Sequence, residues 1–269
     1  MPPVIKECST KVSKGTVNSE THETVSGPRE SDSNQQYENN DLVFPYPNIK
    51  YVHHVKDNWY NIHIRTIELN DAEEIFSLID RNRESLRKWL PWVDYVKTVD
   101  DERRGIERFI DGRQFSSNIH RENENDVILK LDLCSVVVVE NKIVGTCSYN
   151  QIIKNSTGLK NIGFVGYWLG KKWEGLGIIT SAVERIIDYG FKVANLDHIN
   201  ISVAKNNKKS LKVVERLSGF EQMDSIKDSE SINGTNVDLI SFLKSKPNAI
   251  GRWRENRLDY AYRDSFKCY

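Results

Sequence analysis

Residues 166–182, GYWLGKKWEGLGIITSA, decide how the rest of the chain is read. An apolar run suited to a strand feeds a turn containing Gly175 and Gly177, and the turn feeds an amphipathic helix over 180–193. The two glycines let the turn bring successive backbone N–H groups close to a ligand, because glycine adopts positive φ without steric penalty. The helix N-terminus adds unpaired N–H donors and the positive end of its dipole, so the segment reads as an anion site. A Walker loop needs G-x-x-x-x-G-K-[ST], and this turn has no such lysine. A dinucleotide fingerprint needs a third glycine where Thr180 stands. A plain strand–turn–helix connection stays open from this stretch alone.

Working outward, the helix carries an apolar stripe of Ala182, Val183, Ile186, Tyr189 and Gly190. Upstream, 134–140 (CSVVVVE) and 143–149 read as a hairpin about Asn141-Lys142, and 164–169 reads as the next strand. Downstream come a strand over 198–204 and a helix over 210–217 that ends near Gly219. The runs 220–225 and 237–243 then flank the hairpin signal Asn233-Gly234.

Towards the N-terminus, 59–69 alternates as a strand. Asn70 or Asp71 then caps a helix with Ala72, Ile75, Phe76 and Ile79 on one face and Glu74 placed for a capping box. A second short helical stretch gathers Leu86, Trp89 and Leu90 before Pro91 stops it. Thr98 or Asp100 opens a third helix, striped by Ile106, Phe109 and Ile110, and 116–126 reads as a polar loop. Together these elements specify a mixed α/β domain over 46–244. Residues 1–45 lack periodicity and apolar content, which predicts a disordered tail. Residues 245–269 form a basic, aromatic extension with a short helix over 250–262.

Lysine plus arginine (38) balance aspartate plus glutamate (38), so net charge argues for neither nucleic acid nor an anionic membrane as partner. The most apolar runs, 136–139 and 164–169, fall far short of the roughly 20 residues that span a bilayer. The four cysteines Cys8, Cys134, Cys147 and Cys268 form no CxxC and no metal-ligand spacing, which predicts reduced thiols, a cytoplasmic setting and no metal site. Cys134 and Cys147 fall on strands and read as buried and inert, and the pair His53-His54 reads as exposed.

The stretch 166–182 resembles motif A of the GNAT superfamily, and most closely the branch of RimJ/RimL-type ribosomal-protein N-acetyltransferases. The family pattern Q/R-x-x-G-x-G/A falls on Glu174, Gly177 and Ile179, within GYWLG at 166–170 and GLGIITSA at 175–182. The later A-x-x-N-x-x-S…ERLGF is matched by Ala204, Asn207, Ser210 and ERLSGF at 215–220, with Ser218 inserted. The opening R…DAEEIF-x-LID-x-NR…L-x-x-WLPW corresponds to 65–92, and the last hairpin to Ile232-Asn-Gly…Val237-Asp-Leu. The similarity covers residues 59–244 with its motifs in the family's order.

This resemblance implies a GNAT acyl-CoA N-acyltransferase fold: an α+β mixed sheet, splayed at its centre and flanked by helices. It implies acetyl-CoA as acyl-donor substrate. The backbone of Tyr167, Trp168 and Leu169 would bond the pantetheine arm, and the turn Glu174, Gly175, Leu176, Gly177, Ile178, Ile179 and Thr180 would hold the diphosphate. Asn207 would contact the pantetheine, and Ser210 would give a proton to the departing thiolate. Ser210 also suits a helix N-cap. Trp89 and Trp92 fall at the acceptor-binding edge, where they serve as substrate wall or as core. The acceptor would be a primary amine, on a protein N-terminus or a small molecule, and a homodimer is left open. Two departures stand out: Phe164 replaces the branch's usual glutamate, leaving the base unassigned, and Glu174 replaces the usual Gln or Arg. The first of these keeps open a coenzyme-binding scaffold without turnover.

Overall fold

The computed structural model describes residues 46–115, 128–155, 161–223, 226–232 and 235–247. The expected tail over 1–45, the loop over 116–126, the turn at Asn233-Gly234 and the helix over 250–262 lie outside the described residues. The chain opens with an antiparallel pair, β1 (Asn48–Val55) and β2 (Asn58–Thr66), followed by helices α1 (Ala72–Leu86) and α2 (Val99–Phe115). Next come β3 (Ile128–Leu133), β4 (Ser135–Val139), β5 (Lys142–Asn155) and β6 (Ile162–Leu169). The remaining elements are α3 (Ile178–Lys192), β7 (His198–Ala204), α4 (Lys208–Val214), β8 (Glu221–Gln222), β9 (Ile226–Ile232) and β10 (Thr235–Ser245).

Among the described residues ten strands form one mixed sheet in the order β1-β2-β4-β5-β6-β7-β10-β8, with β3 on β5 and β9 on β10. The pairs are antiparallel except β6–β7, which the α3 crossover makes parallel. The run VVVV over 136–139 of β4 is apolar throughout because both its faces are covered. Val137 and Val139 join the core under α3, whereas Val136 and Val138 join the core under α1 and α2. No helix among the described residues is long and apolar enough to cross a membrane.

Several local expectations are corrected. β1 is an additional edge strand with alternating half-exposed positions, and β3 is likewise additional. The β4–β5 turn is centred one residue earlier than expected, with Glu140 and Asn141 both at positive φ. Before α1 the capping box is made by Glu68 and Asp71 around a 3-10 turn. Asp71 also takes both guanidinium nitrogens of Arg65 at 2.7 Å. Glu74 closes no box; its carboxylate instead accepts from the Ile143 N–H at 2.8 Å, tying α1 to β5. The stretch around Trp89 is not a separate helix but a turn continuing α1, and Pro91 opens a 3-10 turn (Pro91–Asp94). Thr98 does cap α2: its hydroxyl accepts from the Asp101 N–H at 3.1 Å, and Asp101 returns a bond to the Thr98 N–H at 2.8 Å.

One buried carboxyl gives the domain a pH signature. Glu102 on α2 is 2% exposed and its Oε2 has no hydrogen-bond partner among the described residues. Burial pushes this carboxyl up to about 7 from an ordinary 4.5. Between those values the folded chain binds a proton that the unfolded chain does not, so stability falls as pH rises through that window. Glu102→Gln is expected to raise unfolding stability by about 2 kcal/mol near pH 8 and by almost nothing near pH 4.5. Denaturant titrations of both proteins at the two pH values check this.

Candidate acetyl-donor and acceptor site

The parallel strands β6 and β7 pair only over Ile162–His198, Gly163–Ile199 and Phe164–Asn200. From Val165 to Leu169 the β7 side of β6 has no strand partner among the described residues, so the sheet splays there. Strand parity decides which groups face the opening. The Gly170 N–H donates to the Val144 carbonyl at 2.8 Å, in line with the register that sets Trp168 opposite Thr146. Backbone groups alternate along a strand, so Trp168 spends its N–H and C=O on β5, while Leu169, Tyr167 and Val165 turn theirs to the gap. Of the three backbone contacts expected from sequence, Tyr167 and Leu169 thus face the opening and Trp168 does not. Val165 joins them, and the signal that could have found it is its odd-numbered parity with Tyr167.

The turn after β6 contains a 3-10 segment, Lys171–Trp173, and then Gly175 and Gly177 at φ 76° and 73°. Gly177 is the N-cap of α3, and no side chain caps that helix end. The first backbone bond there runs from the Ser181 N–H to the Gly177 carbonyl at 3.0 Å. The amides of Ile178, Ile179 and Thr180 precede the first residue able to reach back a full turn, so the helix leaves them free for an anion. The side chain of Ile178 is buried in the core, and those of Leu176 and Ile179 pack against it, so these residues offer the ligand only backbone. Glu174 forms an ion pair with Lys209 of α4, which answers the charge question raised by its replacing Gln or Arg.

The expectation of an exposed histidine pair holds for His54 and is corrected for His53. His53 is half-buried and its Nε2 donates to the Leu176 carbonyl at 2.8 Å, while His54 lies on the Trp59 ring with centroids 4.3 Å apart. Sequence spacing held no signal for a bond that spans 123 residues.

Ser210 is the third residue of α4 and not its N-cap. Asn207 holds that position, its Oδ1 accepting from the Ser210 N–H at 3.2 Å. The serine hydroxyl is therefore released from capping and lies 2.9 Å from the Tyr167 phenol oxygen, with the Ser210 carbonyl 3.2 Å from the same phenol. Tyr167 thus reaches from the open side of β6 to α4. Burial pushes its phenol well above the ordinary tyrosine range, so it stays protonated at neutral pH. The Ser210 carbonyl can only accept, so the phenol's one proton goes to it or is shared with Oγ, and the two hydroxyls stay linked at 2.9 Å.

On the opposite face of the sheet, Trp92 lies 6.3 Å from Trp168 between ring centroids. Trp89 packs on a cluster containing Phe164, Ile153, Ile162, Ala204 and Leu239. Both tryptophans are half-buried. Phe164 is buried, directly opposite Gln151, whose Oε1 is buried without a partner among the described residues. Further along, the Asn200 amide donates to Ser241 Oγ at 2.6 Å and its oxygen accepts from Ser202 at 2.9 Å. The residues opposite Phe164 on the two neighbouring strands, Gln151 and Asn200, are therefore amides and not carboxylates. No cluster of His, Cys, Asp and Glu suited to a metal occurs among the described residues. Cys134 and Cys147 are buried thiols outside any disulfide among the described residues, and burial pushes the Cys147 thiol well above its ordinary value.

Residues 61–221 match the family model described as an acetyltransferase (GNAT) domain. The putative ribosomal N-acetyltransferase YdaF of Bacillus subtilis (strain 168) is 30% identical over 182 residues, covering 68% of this chain and 90% of that protein. The ribosomal-protein-serine acetyltransferase of Escherichia coli (strain K12) is 22% identical over 179 residues, covering 66% of this chain and 89% of that protein. Among solved structures, the microcin C7 self-immunity acetyltransferase MccE, in complex with acetyl-CoA and AMP, superposes with a TM-score of 0.55 at 28% identity. It covers 69% of this chain and 92% of that one.

Proposed function

The chain belongs to the GNAT acetyltransferase family, in its RimJ/RimL-like branch, and is an acetyl-CoA-dependent N-acetyltransferase; we propose that its acceptor is the α-amine of a protein N-terminus. The observation that carries this reading is Phe164 set between the amides of Gln151 and Asn200. The attacking amine must be unprotonated, and Phe164 brings no carboxylate to take its proton. An α-amine, with an ordinary pKa near 7.7–8.0, is about one-third neutral at pH 7.5, whereas a lysine-type amine near 10.4 is neutral in roughly one molecule per thousand. The site suits the acceptor that arrives already deprotonated. YdaF is named a putative ribosomal N-acetyltransferase and the E. coli relative a ribosomal-protein-serine acetyltransferase, which supports a protein acceptor. A polyamine would bring several charges to the apolar cluster of Trp89 and Phe164, where burying them is unfavourable.

The donor's diphosphate is assigned to the amides from Gly175 to Thr180, with Lys209 balancing Glu174 beside them. The pantetheine arm is assigned to the gap, bonded by the backbone of Tyr167, Leu169 and Val165, with the Asn207 amide nitrogen as a side contact. The amine nitrogen attacks the thioester carbonyl carbon, forming the C–N bond as the C–S bond breaks. Water takes the proton that nitrogen loses. Ser210 gives its hydroxyl proton to the thiolate and recovers one from water, while Tyr167 fixes the direction of that hydroxyl. The reading carries a cytoplasmic setting with it, where buried thiols such as Cys134 and Cys147 stay reduced.

The test offers the full chain acetyl-CoA with peptides bearing a free α-amine, the same peptides blocked there but containing lysine, and spermidine. Mass-mapped products should carry acetyl on the α-amine, with kcat/KM at pH 7.5 at least about a hundredfold above the blocked peptide. The rate should rise with pH along the acceptor's own titration. Preferential acetylation of spermidine or of the lysine side chain would overturn the acceptor assignment.

A further inference from the structure

We propose that His53 is a positioning residue of the donor site, which fixes the peptide between Leu176 and Gly177 so that the Gly177 N–H is aimed into the diphosphate cradle. The turn alone does not fix its own peptide planes. Glycines at 175 and 177 let the backbone approach a phosphate closely, and for the same reason they leave the intervening peptide planes free to rotate. Something outside the turn must choose one orientation.

β1 supplies it. His53 Nε2 donates to the Leu176 carbonyl at 2.8 Å, a bond across 123 residues from the first strand of the sheet. No peptide bond among the described residues is cis, and across a trans peptide the carbonyl and the following N–H point in opposite directions. Holding the Leu176 oxygen towards β1 therefore turns the Gly177 N–H away from β1. The imidazole also closes one side of the turn, since a Cβ built on Gly177 would stand 3.4 Å from Nε2. The same end of the hairpin makes a second contact: Tyr60, paired with His53 across β1–β2, meets Trp173 edge to face at 6.3 Å. The hairpin thus braces the turn at both of its ends. The inference rests on the assignment of the diphosphate to the amides after Gly175.

The test is the dissociation constant of CoA for the full chain, by titration calorimetry, for wild type, His53→Ala, His53→Asn and His53→Gln. Glutamine places an amide N–H where Nε2 stands, whereas the shorter asparagine leaves the Leu176 carbonyl out of reach. Loss of one hydrogen bond that orients a charged contact predicts about tenfold weaker CoA binding for the alanine and asparagine variants. The glutamine variant should stay within about twofold of wild type. Unchanged affinity in a folded alanine variant, or a glutamine variant as weak as alanine, would overturn the proposal. If the alanine variant does not fold, the asparagine–glutamine pair decides alone on the same criterion. Wild-type protein that failed to bind CoA would remove the diphosphate assignment itself, whereas tight wild-type binding with equal variants would remove only the role of His53.

Discussion

Replacing Ser210 with alanine is expected to lower kcat about a hundredfold, the low end of what a positioned proton donor contributes. The KM for acetyl-CoA should stay within about threefold, because Ser210 supplies the leaving thiolate's proton and not the donor's main binding contacts. Folding should survive, since Asn207 and not Ser210 caps α4. What the folded state loses is the 2.9 Å bond to Tyr167, a net contribution of about 1 kcal/mol. Steady-state kinetics with a peptide acceptor, beside thermal unfolding, separates the two effects. Tyr167→Phe should give a smaller loss of kcat, because the serine hydroxyl would remain but lose its orientation. A Ser210→Ala enzyme with unchanged kcat would show that water alone protonates the thiolate.

The second large effect concerns the scaffold. Gly190 lies inside α3, where helix propensity alone would favour alanine by about 1 kcal/mol. A Cβ there would meet the Tyr149 phenol oxygen at 2.0 Å and its ring carbon at 2.9 Å. Tyr149 cannot retreat. Its hydroxyl donates to the Ile186 carbonyl at 2.9 Å, and its ring edge already stands 2.5 Å from where a Cβ on Gly163 would sit. The ring is thus confined between a glycine of β6 and a glycine of α3, which sets the close approach of the donor helix to the donor strand. Gly190→Ala is expected to destabilise the domain by about 3–4 kcal/mol, at the upper end of overpacking costs. In a domain of this size that lowers Tm by roughly 10 °C, measurable by calorimetry. Adding Tyr149→Phe should recover part of the loss by removing the nearest atom.

How much of this was legible in the sequence depended on the range of the interaction. α3 was readable because Ala182, Val183, Ile186, Tyr189 and Gly190 repeat at helical spacing and all five are buried. β7 was readable because its apolar residues are bounded by turn residues on both sides, and its observed limits are those expected. β1 was not, since NIKYVHHV is an edge strand whose burial alternates while its residue types do not. β3 follows a long polar stretch and interleaves leucine with charge, which hid it as well. Local spacing also misassigned two side chains. Asn207 and Ser210 both suit an N-cap by type, and only the helix start at Lys208 separates them. Glu74 stands at capping-box spacing yet finds a better partner 69 residues away in the Ile143 amide. Trp168 was placed among the gap-facing residues because sequence gives strand membership but not the parity of backbone groups. The contacts His53–Leu176 and Glu174–Lys209 join distant segments through sheet register and helix docking, so no local pattern announced them.

The most direct test of the account is a crystal structure of the full chain with acetyl-CoA. It should place the diphosphate on the amides from Gly175 to Thr180, and the pantetheine between β6 and β7, bonded to the backbone of Tyr167, Leu169 or Val165. The thioester sulfur should lie within hydrogen-bonding reach of Ser210 Oγ. A coenzyme bound outside the β6–β7 gap, or one whose sulfur lies away from Ser210, would contradict the account at its centre.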